Sequence, residues 1–438
     1  MNPSQVTIVG AGYVGVVVAV CFAEQGRTVL VADRDGEKIE KLAKGEVPFY
    51  EPGVYLLLNR ALKAGRIAFT DNLAEAVRRH DMLMLAVGTP GLSDGSVDLS
   101  QLDDAAQVIA DHAARESLVI VKSTVPPGAT RKLGGWLRTH AAVPIHVAFC
   151  PEFLRQGSGV DDFMNPSRVV IGAESDAVCG LVEELYRPFL SDQTPLVKTD
   201  LASSEMVKLA ANGFLATKIS YINDIAALCE KLGADVEAVK LGAGLDRRIG
   251  RRYLNPGIGY GGSCLPKDVA GLMALAEAHG EPLTVLRATA AINNRVRERF
   301  VEKIVARFGD LHGLTLAVWG LSFKPNTDDM RDAPSVPIIE ALASRGAAIR
   351  AYDPEAMPKA WPLLGHAATF WPNAESACEG ADALLVLTDW PEFTSPNWPV
   401  VRTSMKQAVV FDGRNLYDPK RLAEHGFAYY SIGRPAAD

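Results

Sequence analysis

Val6-Thr7-Ile8-Val9-Gly10-Ala11-Gly12-Tyr13-Val14-Gly15 joins a short β-branched run to a glycine-rich turn, and the apolar segment Val16 to Gln25 follows at once. Strand, turn and helix in that order begin a dinucleotide-binding βαβ unit. Gly10 permits the tight turn, Gly12 lets the backbone approach a pyrophosphate, and Gly15 lets helix and strand pack closely. Tyr13 and Val14 fall at the helix start, whose N–H groups and dipole face phosphate charge. Asp33 ends the next β-branched run, 18 residues after Gly15. Its carboxylate suits a ribose 2′-hydroxyl and repels a 2′-phosphate, which points to NAD rather than NADP. Arg34 follows directly and pulls the other way, since arginine suits a 2′-phosphate. A glycine-rich turn alone is weak evidence; here strand, helix and acid accompany it.

Beyond this unit, β-branched runs keep alternating with helical patterns, at 6–9, 28–32, 82–87, 118–122, 146–149, 168–171 and 195–198. That alternation predicts a parallel sheet, and unbroken apolar runs such as Met82-Leu83-Met84-Leu85 fit strands buried on both faces. The texture changes near 201. Residues 205–232 repeat apolar side chains at helical spacing without proline, and helical sequence returns over 268–307. Further runs at 315–319, 348–352, 383–387 and 408–411 restore the α/β pattern. The expected architecture is α/β: two Rossmann-like parallel-sheet domains, at 1–200 and 308–438, joined by a helical middle domain at 201–307 with a long central helix. Residues 435–438 read as a frayed tail.

With 438 residues, 48% hydrophobic and 22% charged, the chain has ordinary globular composition. Its 45 basic and 52 acidic residues leave a net charge of −7. No basic excess exists to neutralise phosphates, so no nucleic-acid partner is expected. Apolar runs are short, so no membrane partner is expected, and the start lacks a signal-peptide pattern. The cysteines Cys21, Cys150, Cys179, Cys229, Cys264 and Cys378 are scattered, with no metal-ligand spacing. Reduced thiols in a cytoplasmic protein without a metal are the expectation.

Gly259-Tyr260-Gly261-Gly262-Ser263-Cys264-Leu265-Pro266-Lys267-Asp268 carries the most chemistry. Cys264 follows a glycine-rich turn and precedes a helix start near Pro266. A thiol there feels the positive helix end, which favours thiolate, and Lys267 adds charge. The other cysteines read as small buried hydrophobes. On the long helix, Glu205, Lys208 and Asn212 share one face. In isolation they read as a solvated face; beside a cleft, the lysine would stabilise an alkoxide and the asparagine would orient a water or hydroxyl. Thr89 and Thr124, in Gly88-Thr89-Pro90 and Ser123-Thr124-Val125-Pro126-Pro127-Gly128, lie at strand ends where ligands sit, though taken alone plain turn chemistry accounts for them better. Glu152, in Pro151-Glu152-Phe153-Leu154-Arg155, is a candidate base. Lys324 and Arg414 follow late strands, in Phe323-Lys324-Pro325-Asn326-Thr327-Asp328-Asp329-Met330-Arg331 and Asp412-Gly413-Arg414-Asn415. They suit a phosphorylated ligand or surface salt bridges.

Together these motifs, with Phe49-Tyr50-Glu51-Pro52-Gly53, resemble the UDP-glucose/GDP-mannose 6-dehydrogenase family over nearly the whole chain. The resemblance implies a four-electron oxidation of a sugar nucleotide's primary alcohol to a carboxylate, with two NAD reduced and no aldehyde released. Cys264 would add to the aldehyde as a thiohemiacetal and then carry a thioester. Lys208 and Asn212 would attend the oxygen, Asp268 and Thr124 the water, and Glu152 the hydrolysis. Asp33, Lys38 and Thr89 match the adenosine and nicotinamide side, and Lys267 and Arg331 match further NAD contacts. Phe153, Leu154, Arg155, Gly261, Lys324 and Arg414 would meet the sugar nucleotide. So would the loop Tyr253, Leu254, Asn255 and Gly257. Arg248 would reach into the neighbouring subunit's site, which with the long helix implies a homodimer. Asp246-Arg247-Arg248-Ile249-Gly250 and Tyr253-Leu254-Asn255-Pro256-Gly257 look more like the UDP-glucose branch, which makes UDP-glucuronate for polysaccharide. Related enzymes take GDP-mannose or a UDP-N-acetyl-hexosamine. One departure stands out. Gln156 replaces the second glutamate of the family's PEFLxE pattern, and an amide cannot act as a base.

Two other classes are weighed against this reading. A two-electron hydroxyacid dehydrogenase needs neither Cys264 nor the last α/β domain. A non-catalytic NAD or nucleotide-sugar sensor predicts loss of the reactive groups, which are all present.

Overall fold

Fourteen strands form two separate sheets in the computed structural model, which describes residues 1–436. The first sheet contains β1 (Gln5–Val9), β2 (Thr28–Ala32), β3 (Ile67–Thr70), β4 (Met82–Leu85), β5 (Ser117–Val121), β6 (Ile145–Phe149), β7 (Val169–Ala173) and β8 (Leu196–Thr199). The second contains β9 (Thr315–Trp319), β10 (Ala348–Tyr352), β11 (Thr369–Phe370), β12 (Ala383–Val386), β13 (Val409–Asp412) and β14 (Ala428–Tyr430).

The first sheet runs β3-β2-β1-β4-β5-β6-β7-β8. Its order reverses between β1 and β4, the switch point where open α/β sheets bind ligands. Side chains alternate across it. Val6 and Ile8, Met82 and Met84, and Leu118 and Ile120 enter one core. Val9, Leu83, Leu85, Val119 and Val121 enter the core on the other face. Burial on both faces accounts for the unbroken apolar runs. One expectation is corrected here: β7 pairs antiparallel with β6, and β8 then runs parallel to β7. From β3 through β6 every pairing is parallel.

The second sheet is parallel throughout, in the order β11-β10-β9-β12-β13-β14. Leu316 and Val318 of β9 face one core, Ala317 and Trp319 the other.

By packing, the chain forms two units. One is Met1–Ala211 with Ala270–His279; the other is Asn212–Val269 with the chain from Gly280 onward. The helices of the middle region are divided between these units. They run over Leu201–Leu232, Leu265–Ala278 and Thr284–Phe308. They lend their apolar residues to the sheet cores: Leu201 joins Val119 and Val121, while Ile222, Ala226, Val301 and Ile304 join Leu316 and Val318. The helical sequence expected over 268–307 forms two helices, parted between Ala278 and Thr284, where Gly280 and Pro282 lie. Among the described residues no helix is long and apolar enough to cross a membrane. Of the predicted frayed tail, Ala437 and Asp438 lie outside the described residues.

Candidate active site

The turn after β1 is shaped for close backbone approach. Gly10 has φ +104° and its N–H donates to the Ala32 carbonyl at 2.8 Å. A Cβ on Gly15 would overlap the Gly10 carbonyl oxygen, so this packing admits only glycine. A Cβ on Gly12 would meet nothing within 4 Å, which leaves open space beside the helix start. The helix Tyr13–Glu24 has neither a side-chain cap nor an acidic residue in its first turn, so its N–H groups face that space uncompensated. After β2, Asp33 accepts from Ala11 N–H at 2.7 Å and from Lys38 Nζ at 3.3 Å. Arg34 is exposed and pairs with Asp104. These residues fit an NAD pyrophosphate and ribose. Gly12→Ala is expected to weaken NAD binding by about tenfold, or about 1.4 kcal/mol of lost phosphate contact, without lowering Tm. Calorimetry and thermal melting check both halves of that statement.

The corresponding acid of the second sheet, Asp353, follows β10 and is fully buried. It accepts from Leu321 N–H at 2.7 Å, Ser322 N–H at 3.1 Å and the Trp390 indole at 3.0 Å. That carboxylate is spent on its own loops, so the second sheet does not repeat the first sheet's ribose site.

Further groups gather in the first unit. Thr89 donates to the Thr124 carbonyl at 2.9 Å, joining two strand ends. Lys208 Nζ donates to Glu152 Oε1 at 2.8 Å, with both side chains buried. Glu152 Oε2 also accepts from Leu154 N–H at 2.6 Å. Burial alone would raise the Glu152 carboxyl, but the Lys208 ammonium, the hydrogen bonds and Lys122 hold it below its ordinary value. Folded stability from this pair is therefore present above about pH 4.5, the ordinary value, and fades as pH falls through the lowered one. Arg155 turns away to clasp Asp162 through Nε and Nη2 at 2.5–3.2 Å. Phe153 packs under the Arg168 guanidinium, 3.5 Å from the ring centroid.

The solvated-face reading of the long helix is overturned. Glu205, Lys208 and Asn212 are all buried. Glu205 accepts from Gly128 N–H at 2.5 Å and Thr130 N–H at 2.8 Å, capping the helix Ala129–His140. A glutamate in this apolar setting finds its partners in a helix N-terminus rather than in water.

In the second unit, Cys264 is exposed, and its carbonyl accepts from Asp268 N–H at 2.8 Å as the helix Leu265–Ala278 begins. Its Sγ lies 3.6 Å from Ser263 Oγ. Asp268 is buried between Asn212 Nδ2 at 2.6 Å and Lys267 Nζ at 2.8 Å. The approach to the thiol is rigid. Gly262 has φ +86°, its N–H donates to the Arg331 carbonyl at 2.9 Å, and a Cβ there would strike the Phe323 ring. Arg331 clasps Asp329 at 2.5–3.1 Å. Burial opposes its charge, yet Asp329, with Cys264 and Asp328 beyond it, raises its pKa above the ordinary value. That cation therefore acts on the sulfur electrostatically.

Arg414 is a brace. Its guanidinium donates to the carbonyls of Leu387 at 2.7 Å, Phe323 at 3.1 Å and Gly259 at 3.3 Å. Lys324 Nζ stands 5.5 Å from the Phe323 ring centroid. Tyr253, at φ +64°, precedes buried Leu254 and exposed Asn255. Gly257 N–H donates to Asn223 Oδ1 at 2.8 Å. Gly261 continues the same run of loop backbone. Arg248 is exposed and pairs with Asp246.

Several residues escaped the sequence reading. Asn293 clamps Tyr260 by accepting from its N–H at 2.8 Å and donating to its carbonyl at 3.0 Å, and Arg297 donates to the same carbonyl at 2.7 Å. Their spacing of four on one helix was the available signal. Lys122, buried, donates to Tyr186 Oη at 2.7 Å and to the Pro151 carbonyl at 3.0 Å. Among the described residues, no group of three His, Cys, Asp or Glu side chains is placed to hold a metal ion.

Residues 4–190 match the NAD binding domain of the UDP-glucose/GDP-mannose dehydrogenase family, 202–295 its central domain, and 317–419 its UDP binding domain. The chain is 44% identical to a UDP-glucose 6-dehydrogenase of Rhizobium meliloti, covering 98% of this chain and 100% of that one. It is 43% identical to a UDP-glucose 6-dehydrogenase of Bacillus subtilis, over 99% and 94% of the two chains. The solved structure of a UDP-glucose dehydrogenase from Pyrobaculum islandicum superposes with a TM-score of 0.92 at 36% identity, covering 98% of both. The NAD turn, the thiol loop and these likenesses agree: the chain belongs to the UDP-glucose/GDP-mannose dehydrogenase family.

Proposed function

We propose that the protein oxidises UDP-glucose to UDP-glucuronate through a covalent Cys264 intermediate. NAD, when bound, accepts a hydride in each of the two oxidations. The alcohol gives its hydroxyl proton to the water held by Asp268, and Lys208 stabilises the alkoxide as it becomes an aldehyde. The Cys264 thiolate adds to the aldehyde carbon, and the resulting thiohemiacetal gives up its hydride to become a thioester. Water then breaks the C–S bond, releasing the carboxylate and the thiol. Asn212 and Asp268 hold the reacting oxygen and the water, with Thr124 assisting. Glu152, already ionised at neutral pH, accepts the proton of hydrolysis.

The observation that carries this reading is Cys264 at a helix start, one turn before the buried Asp268 that binds buried Asn212 and half-buried Lys267. NAD binding is assigned to 1–200 and the nucleotide end of the substrate to 308–438. Lys324 contacts the phosphates there, Arg414 holds its loop, and Tyr253, Leu254, Asn255 and Gly257 shape the sugar side. Lys267 and Arg331 serve NAD from the thiol loop and its neighbour. The test is kcat/KM on a panel of UDP-glucose, GDP-mannose and UDP-N-acetyl sugars. UDP-glucose is expected to lead by at least about 100-fold, since a site built for one set of hydrogen bonds leaves groups unpaired with another. A preference for any other member would overturn the substrate assignment.

A cytoplasmic homodimer is part of the proposal. Phe214, Tyr221, Leu228 and Leu232 are large, exposed and spaced by seven, seven and four on the long helix, so one face is apolar. A second copy covering that face is expected to give a solution mass twice 47.0 kDa by light scattering. A monomeric mass at micromolar concentration would contradict it.

A further inference from the structure

The Phe49-Tyr50-Glu51-Pro52-Gly53 segment has no role in the chemistry above, yet its carboxylate is buried. Glu51 Oε2 accepts from Gly157 N–H at 2.5 Å and Oε1 from Gly159 N–H at 2.7 Å. Gly159 begins the short helix Gly159–Met164. Both bonds are charge-assisted and therefore stronger than neutral ones. They fix the loop that follows Glu152, Phe153, Leu154 and Arg155, including Gln156, where the family pattern is broken.

Glu51 also meets the cofactor turn. Tyr13, inside Gly10–Gly15, donates to the Arg155 carbonyl at 3.3 Å, and its hydroxyl and Glu51 Oε1 both lie against Gly159. Burial and the Glu51 charge push the Tyr13 phenol far above its ordinary value, so it remains a donor. The Tyr13 ring packs on Phe49, 5.5 Å between centroids, and a Cβ on Gly159 would overlap the Tyr13 hydroxyl. The opposite side of the loop is held by Asp162, which accepts from Arg155 N–H at 2.9 Å and from Ser158 Oγ at 3.2 Å.

We infer that Glu51 is a positioning residue that couples the NAD turn, through Tyr13, to the loop 155–159 behind Glu152. Occupation of the turn would fix Tyr13, Tyr13 would hold the Arg155 carbonyl and the face of Gly159, and Glu51 would hold the N–H groups of Gly157 and Gly159 beside it. The inference rests on the proposed function for its catalytic meaning, but the coupling itself needs only NAD.

Hydrogen exchange of the full-length protein, read by mass spectrometry over 155–159 with and without NAD, tests it. In the wild type, NAD is expected to slow exchange there. In Glu51→Gln, exchange is expected to be about tenfold faster, the loss of one charged acceptor, and NAD no longer slows it. UDP-glucose KM is expected to rise by about tenfold while kcat changes by less than about threefold, because Glu51 orders the binding backbone without touching reacting atoms. Exchange and KM within about twofold of wild type would overturn the inference. So would acceleration spread evenly over the whole chain, which is plain destabilisation. Should Glu51→Gln fail to fold, Tyr13→Phe decides. It keeps the ring packing and is expected to lose the NAD-dependent slowing; retained slowing overturns the coupling. A wild type that binds NAD but leaves UDP-glucose untouched would refute the function, while the exchange result would still decide on Glu51.

Discussion

Cys264→Ser is expected to cut acid formation by at least roughly 10³-fold while leaving Tm unchanged. The residue is exposed, so the change from sulfur to oxygen removes no core contact. The loop geometry also survives, because it depends on Gly262, Asn293 and Arg297 rather than on the thiol. What disappears is the nucleophile. A thiol ionises near pH 8.5 unperturbed, and a helix start together with Arg331 favours its anion, whereas a serine hydroxyl stays neutral. Asp268, one helical turn on, is committed to Asn212 and Lys267 and does not activate a serine. NADH progress curves with a thermal melt of the same sample check both parts. Turnover within about tenfold of wild type would remove the thioester from the mechanism.

Lys208→Met carries the second large effect, and it falls on stability as well as on rate. Lys208 and Glu152 form a buried pair at 2.8 Å. Methionine preserves the volume but strands the carboxylate, and breaking a buried pair costs about 3–5 kcal/mol. The pH dependence gives the signature. In the wild type the Glu152 carboxyl is held below its ordinary value of 4.5, so its stabilisation is present above that pH and lost in acid. Without Lys208, burial dominates and pushes the carboxyl up, so the variant favours a protonated Glu152 and suffers most when it must be charged. The Tm gap between wild type and variant is therefore expected to be wider at pH 8 than at pH 5. A gap that does not change with pH would contradict the charge argument. Activity is expected to fall by roughly 10²–10³-fold, as for loss of one oxyanion donor.

Much of the fold was readable because its strands are unbroken apolar runs. β2, β9 and β10 fall at the expected residues, 28–32, 315–319 and 348–352. β3, β11 and β14 were missed. They are short and lie away from the sheet centres, so their sequences carry little of the two-faced pattern. The antiparallel direction of β7 was invisible too, since apolar periodicity does not encode direction. At the site, local motifs were legible: the glycine turn, Asp33 and the thiol loop each declare themselves within a few neighbours. Long-range partners were not. Lys208 looks like a solvated lysine until Glu152, 56 residues upstream, is placed against it. Glu51 gains meaning only from Gly157 and Gly159, more than 100 residues away. Arg414 shows the converse. It reads as a phosphate cation in sequence, but burial turns its donors to three loop carbonyls.

In the proposed reaction one protein carries an alcohol through to an acid without releasing the aldehyde. NADH formed per UDP-glucose consumed, measured on purified protein with excess NAD, tests it most directly. About two NADH for each sugar nucleotide is the expected result, because the Cys264 intermediate commits the aldehyde to a second oxidation. About one NADH per sugar, with aldehyde in solution, would contradict the account and leave Cys264 without its role.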